Sequence, residues 1–203
     1  MKWNKVFILL FPVNRPNRPR DPLLPTSEVF KRKYRIPETH SFATKTISGY
    51  QCLPPPHSQF SQPADKPFAQ CDLSSKLIVV AHGSDHGNRI YHEEFGGLDG
   101  ASFARMLIDY GLTQVGLISM KACQAGKGEF LPTLVQTLIE EGVKIGWAIG
   151  YKSNINLQDD SITTSCWDIF TRPWHKLPDS QRVRIQQGNA FVPIANSNRF
   201  KYR

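Results

Sequence analysis

Two residues of this chain have the types that nucleophilic catalysis needs, and each follows an apolar run. His82 comes directly after Leu77, Ile78, Val79, Val80 and Ala81, and Cys123 follows residues 115–120 with only Lys121 and Ala122 between. A thiol attacks a carbonyl as its thiolate, and an imidazole within reach, with Lys121 close by, favours that form. Gly83 leaves the N–H beside the histidine open, so that N–H and the N–H of Cys123 are the candidate donors of an oxyanion hole. Asp85 and Asp99 are the candidates to orient the imidazole. A lone cysteine near a strand end is most often a small buried hydrophobe, and a lone histidine a packed or solvated loop residue. What favours catalysis is the pairing of the two at successive strand ends.

Those ends belong to a pattern that starts at Ser74, where short apolar runs alternate with amphipathic segments, as in a parallel sheet with crossover helices. Residues 77–81, 115–120 and 145–149 read as buried strands. Between them, Phe103, Met106, Leu107 and Tyr110 share one helical face before Gly111, and Leu131, Leu134, Val135 and Leu138 share another before Gly142. The expected fold is α/β: a compact three-layer sandwich with a mostly parallel central sheet, crossover helices and a C-terminal β-hairpin flap. The hairpin is expected from residues 182–187 and 190–194 around Gly188 and Asn189. Residues 82–100 read as a loop rich in glycine and polar side chains, in which Gly96, Gly97 and Gly100 read as a flexible stretch bordering the substrate cleft. Gly96, Gly97 and Gly100 lack the register of a phosphate-binding fingerprint.

The first part of the chain reads differently. Eleven of the fifteen prolines lie within residues 1–72, and proline removes a backbone donor and fixes φ. Residues 1–40 are therefore expected to be an extended, proline-rich, basic leader, and residues 41–203 the catalytic domain. A short strand or hairpin is expected near residues 44–51, followed by a surface loop over residues 54–67. The apolar stretch 6–13 imitates a secretory signal weakly; Arg15, Arg18 and Arg20 follow it instead of a small-residue cleavage site, so it reads as an uncleaved docking strand, a delivery signal or an ordinary hydrophobic strand.

The net charge of +8 is unevenly placed. Residues 1–45 carry ten Lys and Arg against three acids, residues 46–171 eight against thirteen, and residues 172–203 seven against one. Basic ends on an acidic middle suggest that the ends meet an anion: nucleic acid, a membrane surface or a polyphosphate. No apolar run approaches the roughly 20 residues needed to cross a bilayer, so no membrane span is expected. Cys52, Cys71, Cys123 and Cys166 form no CxxC pair, which argues against structural zinc and leaves the disulfide status of Cys52, Cys71 and Cys166 open. His82, His86 and His92, with Asp85 and Glu93 near them, lack the fixed spacing of a metal site, and no metal is expected.

An apolar strand ending in His82-Gly83, and some forty residues later one ending in Ala122-Cys123, resembles the clan CD cysteine peptidases. The short interval is most similar to the autoprocessing cysteine protease domains of bacterial RTX-type and large clostridial toxins and related effectors. The resemblance covers residues 74–152, and Lys121 departs from it, since the family's strand stays apolar there. It implies a thiol protease whose Cys123/His82 dyad cleaves a peptide bond after a small or apolar residue, in a protein substrate or in the chain itself. It also implies a secreted virulence factor acting in the host cytosol and activated by inositol hexakisphosphate. The ligands of that anion would be Lys144, Lys152, Arg182, Arg184, Arg199 and Lys201, cationic groups of the kind a polyphosphate needs. No DNA partner is expected. The competing readings are a thiol acyl-transferase or cyclase using the same dyad, and a non-catalytic anion-binding module.

Overall fold

The computed structural model describes residues 3–13, 23–53, 66–84, 86–91, 97–152, 155–158, 161–164 and 183–193. Twelve strands and three α-helices are described. A seven-stranded sheet dominates, made of β1 (Lys5–Leu10), β2 (Ser41–Ala43), β3 (Gln51–Cys52), β4 (Ser75–Val80), β8 (Gln114–Lys121), β9 (Lys144–Tyr151) and β12 (Val183–Gln187), in the order β12-β9-β8-β4-β1-β2-β3. All of its pairings are parallel except that of β12 with β9. A three-stranded meander, β5 (His82–Gly83), β6 (Arg89–Tyr91) and β7 (Leu98–Asp99), and a hairpin, β10 (Ile155–Gln158) with β11 (Ser161–Thr164), complete the strands.

The topology dictates the layers. From β1 the chain steps through α1 (Leu23–Tyr34) to β2 in one direction, and from β4 it steps through α2 (Gly100–Asp109) to β8 and through α3 (Phe130–Glu140) to β9 in the other. Right-handed crossovers running in opposite directions put their helices on opposite faces of the sheet. Phe30 of α1 accordingly joins Ile8, Leu10, Ile78 and Val80 in one core. Phe103, Leu107, Phe130 and Leu134 of α2 and α3 pack on Phe7, Leu9, Leu77, Val79, Ile118 and Met120 in the other. The fold is thus the three-layer α/β sandwich with a mostly parallel sheet that the sequence predicts.

Three expectations are corrected. The described parts of residues 1–40 do not form an extended leader: β1 is an interior strand, Phe7 to Leu10 within it and Phe11 just after it are wholly buried, and α1 packs against it. Pro25 lies in the first turn of α1, where a missing N–H costs no helical hydrogen bond. Leu23, Thr26, Ser27 and Phe30 form the buried stripe, and Arg35 at φ 52° ends the helix with the Ile36 N–H on the Lys31 carbonyl. Second, near residues 44–51, where a short strand or hairpin is expected, the chain forms no hairpin but links β2 to the short parallel strand β3, which Gln51 opens. Third, β12 does not pair with residues 190–193. It runs antiparallel beside β9, and the returning segment is held there by side chains: the Asn189 amide accepts from Ile145 N–H and donates to the Val143 carbonyl, and Trp147 donates to the Val192 carbonyl. The open edge of β9 offers a full ladder, which a two-residue turn onto a proline-containing segment does not.

Candidate active site

His82 and Cys123 stand at the carboxyl edge of the sheet. The parallel ladder between β4 and β8 ends with Val80 opposite Lys121 and one further bond from Ala81 N–H to the Lys121 carbonyl at 3.3 Å. Each residue of the pair lies two positions beyond that level, His82 at the start of β5 and Cys123 in the turn that follows β8. His82 also borders the place where the sheet's winding reverses, between β4 and β1, the crevice at which open α/β sheets bind their ligands. Both residues are partly exposed.

Glycine brings the two backbones together. A methyl built on Gly83 would overlap the carbonyl of Cys123 and lie 2.9 Å from its nitrogen, so no larger residue fits while the two segments stay as they are. The direction of the Gly83 N–H follows from the ladder. Ser84 N–H bonds the Arg89 carbonyl, and the positions of an antiparallel pair alternate, so Gly83, facing Ile90, occupies a non-hydrogen-bonded position. Its N–H points away from β6 and is not used by that pairing.

The Cys123 loop packs by backbone elsewhere too. A methyl on Gly126 would strike the carbonyl of Gly150 in β9, and one on Gly87 the carbonyl of Gln124. Gln124, the residue after the thiol, has φ 56°, a left-handed conformation that costs a non-glycine residue about 1 kcal/mol or more and persists only where its surroundings impose it. Those surroundings are a Lys127 N–H bond to the Gln124 carbonyl at 2.8 Å, Asn88 accepting from Glu129 N–H, and the Arg184 guanidinium on the Gly128 carbonyl at 2.9 Å. Sequence reasoning did not single out Asn88, Gly126, Gly150 or Tyr151; the recurrence of glycine at 126 and 128 so soon after the cysteine was the signal available.

The remaining expected residues separate. The run 82–100 is a meander rather than a loop as far as it is described, anchored by the fully buried Ile90; Gly97 has φ 96°, Gly100 opens α2 against α3, and Gly96 lies outside the described residues. Asp99 caps α2: its carboxylate accepts from Ser102 N–H at 2.8 Å, and that bond, with Arg89 nearby, holds its pKa below the usual value despite partial burial. Its carboxylate is thereby committed to the helix, while Asp85 lies outside the described residues. Lys121 carries its ammonium into the layer of α1, 3.1 Å from the Tyr151 hydroxyl and over the rings of Tyr151 and Phe30, which explains how a charge sits at the buried end of a largely apolar strand.

Among the basic residues, Arg184 pairs with Gly150, so it and Lys152 belong to the carboxyl end of β9. Lys144 starts that strand, eight residues and ~26 Å away, so it cannot share a ligand with them. Arg182, Arg199 and Lys201 lie outside the described residues. Cys52, Cys71 and Cys123 are free thiols, Cys166 being outside the described residues. Burial, with Asp72 adding to it, pushes the Cys71 thiol up to about 12, so it stays protonated in the core. Among the described residues there is no cluster of side chains that could hold a metal ion, and no helix is long and apolar enough to cross a membrane. No protein-family model matches the chain, and a search of the curated proteins finds no relative.

Proposed function

We propose that the protein is a cysteine peptidase in which Cys123 is the nucleophile and His82 the general base and acid. The observation that carries this reading is the ladder register that sets His82 and Cys123 at one level just beyond adjacent strand ends, with Gly83 against the Cys123 peptide. His82 takes the thiol proton, Sγ bonds to the scissile carbonyl carbon, and the Gly83 and Cys123 N–H groups receive the oxyanion. Collapse of the tetrahedral species breaks the C–N bond as His82 returns the proton to the leaving amine. Water, deprotonated by His82, then cleaves the thioester and frees the thiol.

An anion supplies the switch in this proposal, with inositol hexakisphosphate as the ligand and Arg184 and Lys152 among its contacts. Arg184 supports that role because its guanidinium reaches the loop that follows Cys123. The decisive experiment is a mass-spectrometric search for cleaved chain or peptide, with and without inositol hexakisphosphate, in the wild type, Cys123→Ala and His82→Ala. Anion-dependent products in the wild type alone are expected. Products persisting in both variants would end the proposal, and amine adducts in place of hydrolysed ends would turn it into acyl transfer.

A further inference from the structure

The segment from Lys121 to Gly126 holds the nucleophile, and both of its ends are tied to one residue of the neighbouring strand. Tyr151, the last residue of β9, is 3% exposed. Its carbonyl accepts from Gly126 N–H at 2.7 Å, and its hydroxyl lies 3.1 Å from the Lys121 ammonium, with that ammonium 4.9 Å from the ring centre. One bond falls two residues before Cys123 and the other three residues after it. We propose that Tyr151 is a positioning residue for Cys123: by gripping both ends of the turn it holds the thiol in reach of His82, and Lys121 is the lever through which its hydroxyl acts.

The turn needs such a grip. Gln124 stands in a left-handed conformation inside it, and a turn carrying that strain, already held by Lys127, Asn88 and Arg184, shifts when one of its further anchors is removed. The two ties also differ in kind. The backbone bond to Gly126 belongs to any residue at position 151, whereas the bond to Lys121 needs a hydroxyl on a ring of this reach. A hydroxyl facing a buried ammonium is a charge-assisted partner, roughly twice as strong as a neutral one. The ring of Tyr151 packs with Leu117, Ile149 and Val183, so removal of the hydroxyl alone leaves the apolar contacts in place.

This inference rests on Cys123 being the working thiol, so its test is read on the thiol itself. In the full chain, the rate at which iodoacetamide alkylates Cys123 is followed against pH by peptide mass spectrometry, with the exposed Cys52 as an internal reference. In Tyr151→Phe the Cys123 rate is expected to fall about tenfold, the order of loss that a small misplacement of a reacting group produces, with Cys52 unchanged. Turnover of a cleaved peptide should show the same loss in kcat with KM retained. Lys121→Met removes the lever from the other side and should give the same loss, whereas Lys121→Arg, which can still donate to the hydroxyl, should recover part of it. A Cys123 profile in Tyr151→Phe and Lys121→Met that overlays the wild type below the melting temperature would overturn the inference, even if both variants melt earlier. The peptidase reading fails on a different result: wild-type Cys123 alkylating with the same pH profile as Cys52.

Discussion

The N-terminal stretch through Cys52 and the stretch from Ser75 to Tyr151 both contribute three strands to the same parallel sheet, yet they are written in different languages. The second is apolar, poor in proline and broken by glycines at helix ends. The first is basic and dense in proline, and its one long apolar run reads as a signal before it reads as a strand. In the structure they meet on equal terms: Lys5 to Leu10 pairs residue for residue with Ser75 to Val80, and Phe7 and Leu77, register partners, are both fully buried. Charge and proline density describe a segment's flanks. Whether its apolar residues are interior depends on whether a neighbour needs an edge covered, and β4 does.

The largest expected effect separates the two descriptions outright. Deletion of residues 1–22 removes β1 and leaves β4 with an uncovered interior edge and α1 without the strand it packs on most, so the remaining chain should lose its cooperative thermal transition. If the segment were an appendage, the truncated chain would melt within a few degrees of the whole protein. Point changes sharpen the comparison. Phe7→Ala should cost about 3–5 kcal/mol and Leu77→Ala about 2–5 kcal/mol in urea unfolding, as buried truncations do. A Phe7→Ala cost below 1 kcal/mol beside a full Leu77→Ala cost would show that the first strand is held loosely.

Next in size is Gly83→Ala, which acts on the site rather than on the core. The added methyl cannot coexist with the Cys123 carbonyl, so one backbone must move, at about 1–3 kcal/mol of overpacking strain. Cys123 alkylation should change its pH profile, whereas Ala81→Gly, two residues earlier, should lower stability without that change. Equal profiles for Gly83→Ala and wild type would show that the contact between the two segments does not set the thiol's environment.

How much of this could be read from the residues alone divides along the same line. The strands around residues 77–81, 115–120 and 145–149 and the helices between them announce themselves through apolar periodicity, and their adjacency follows from short crossovers. The level of His82 against Cys123 was within reach for that reason. The strand β1 was not, because six apolar residues flanked by Lys5 and a run of Pro and Arg fit several structures equally well, and only the sheet decides among them. Nor were the meander β5 to β7 or the Tyr151 contacts: two- and three-residue strands carry too few positions to show alternation, and a tyrosine's hydroxyl partner on another strand leaves no trace in spacing. The basic residues illustrate the converse hazard. Lys144, Lys152 and Arg184 form one cationic set on paper, while the strand they share or border puts Lys144 at the opposite edge of the sheet.

The smallest expected effect probes how the N-terminal strand is seated. The His40 imidazole stacks on Phe7 with ring centres 4.3 Å apart, and its pKa is lowered from its ordinary 6.5, by burial first and then by the positive charge of Lys5. A bond to the backbone of Val6 works the other way and does not offset them. Lys5 is in turn held by Asp72, 3.5 Å away, and by the Gln70 carbonyl. Folding therefore favours the neutral imidazole. Above the unfolded value of about 6.5 both states are neutral and this contribution is complete. As pH falls below it the unfolded chain takes up the proton first and is stabilised relative to the fold, so the contribution is lost down to the folded pKa. Urea midpoints of the wild type should accordingly decline between pH 7 and pH 5 more steeply than those of His40→Phe, which keeps a ring on Phe7 but cannot titrate. Parallel curves for the two would mean that the charge on His40 is not felt by the strand, and that Phe7 is seated by the core beneath it alone.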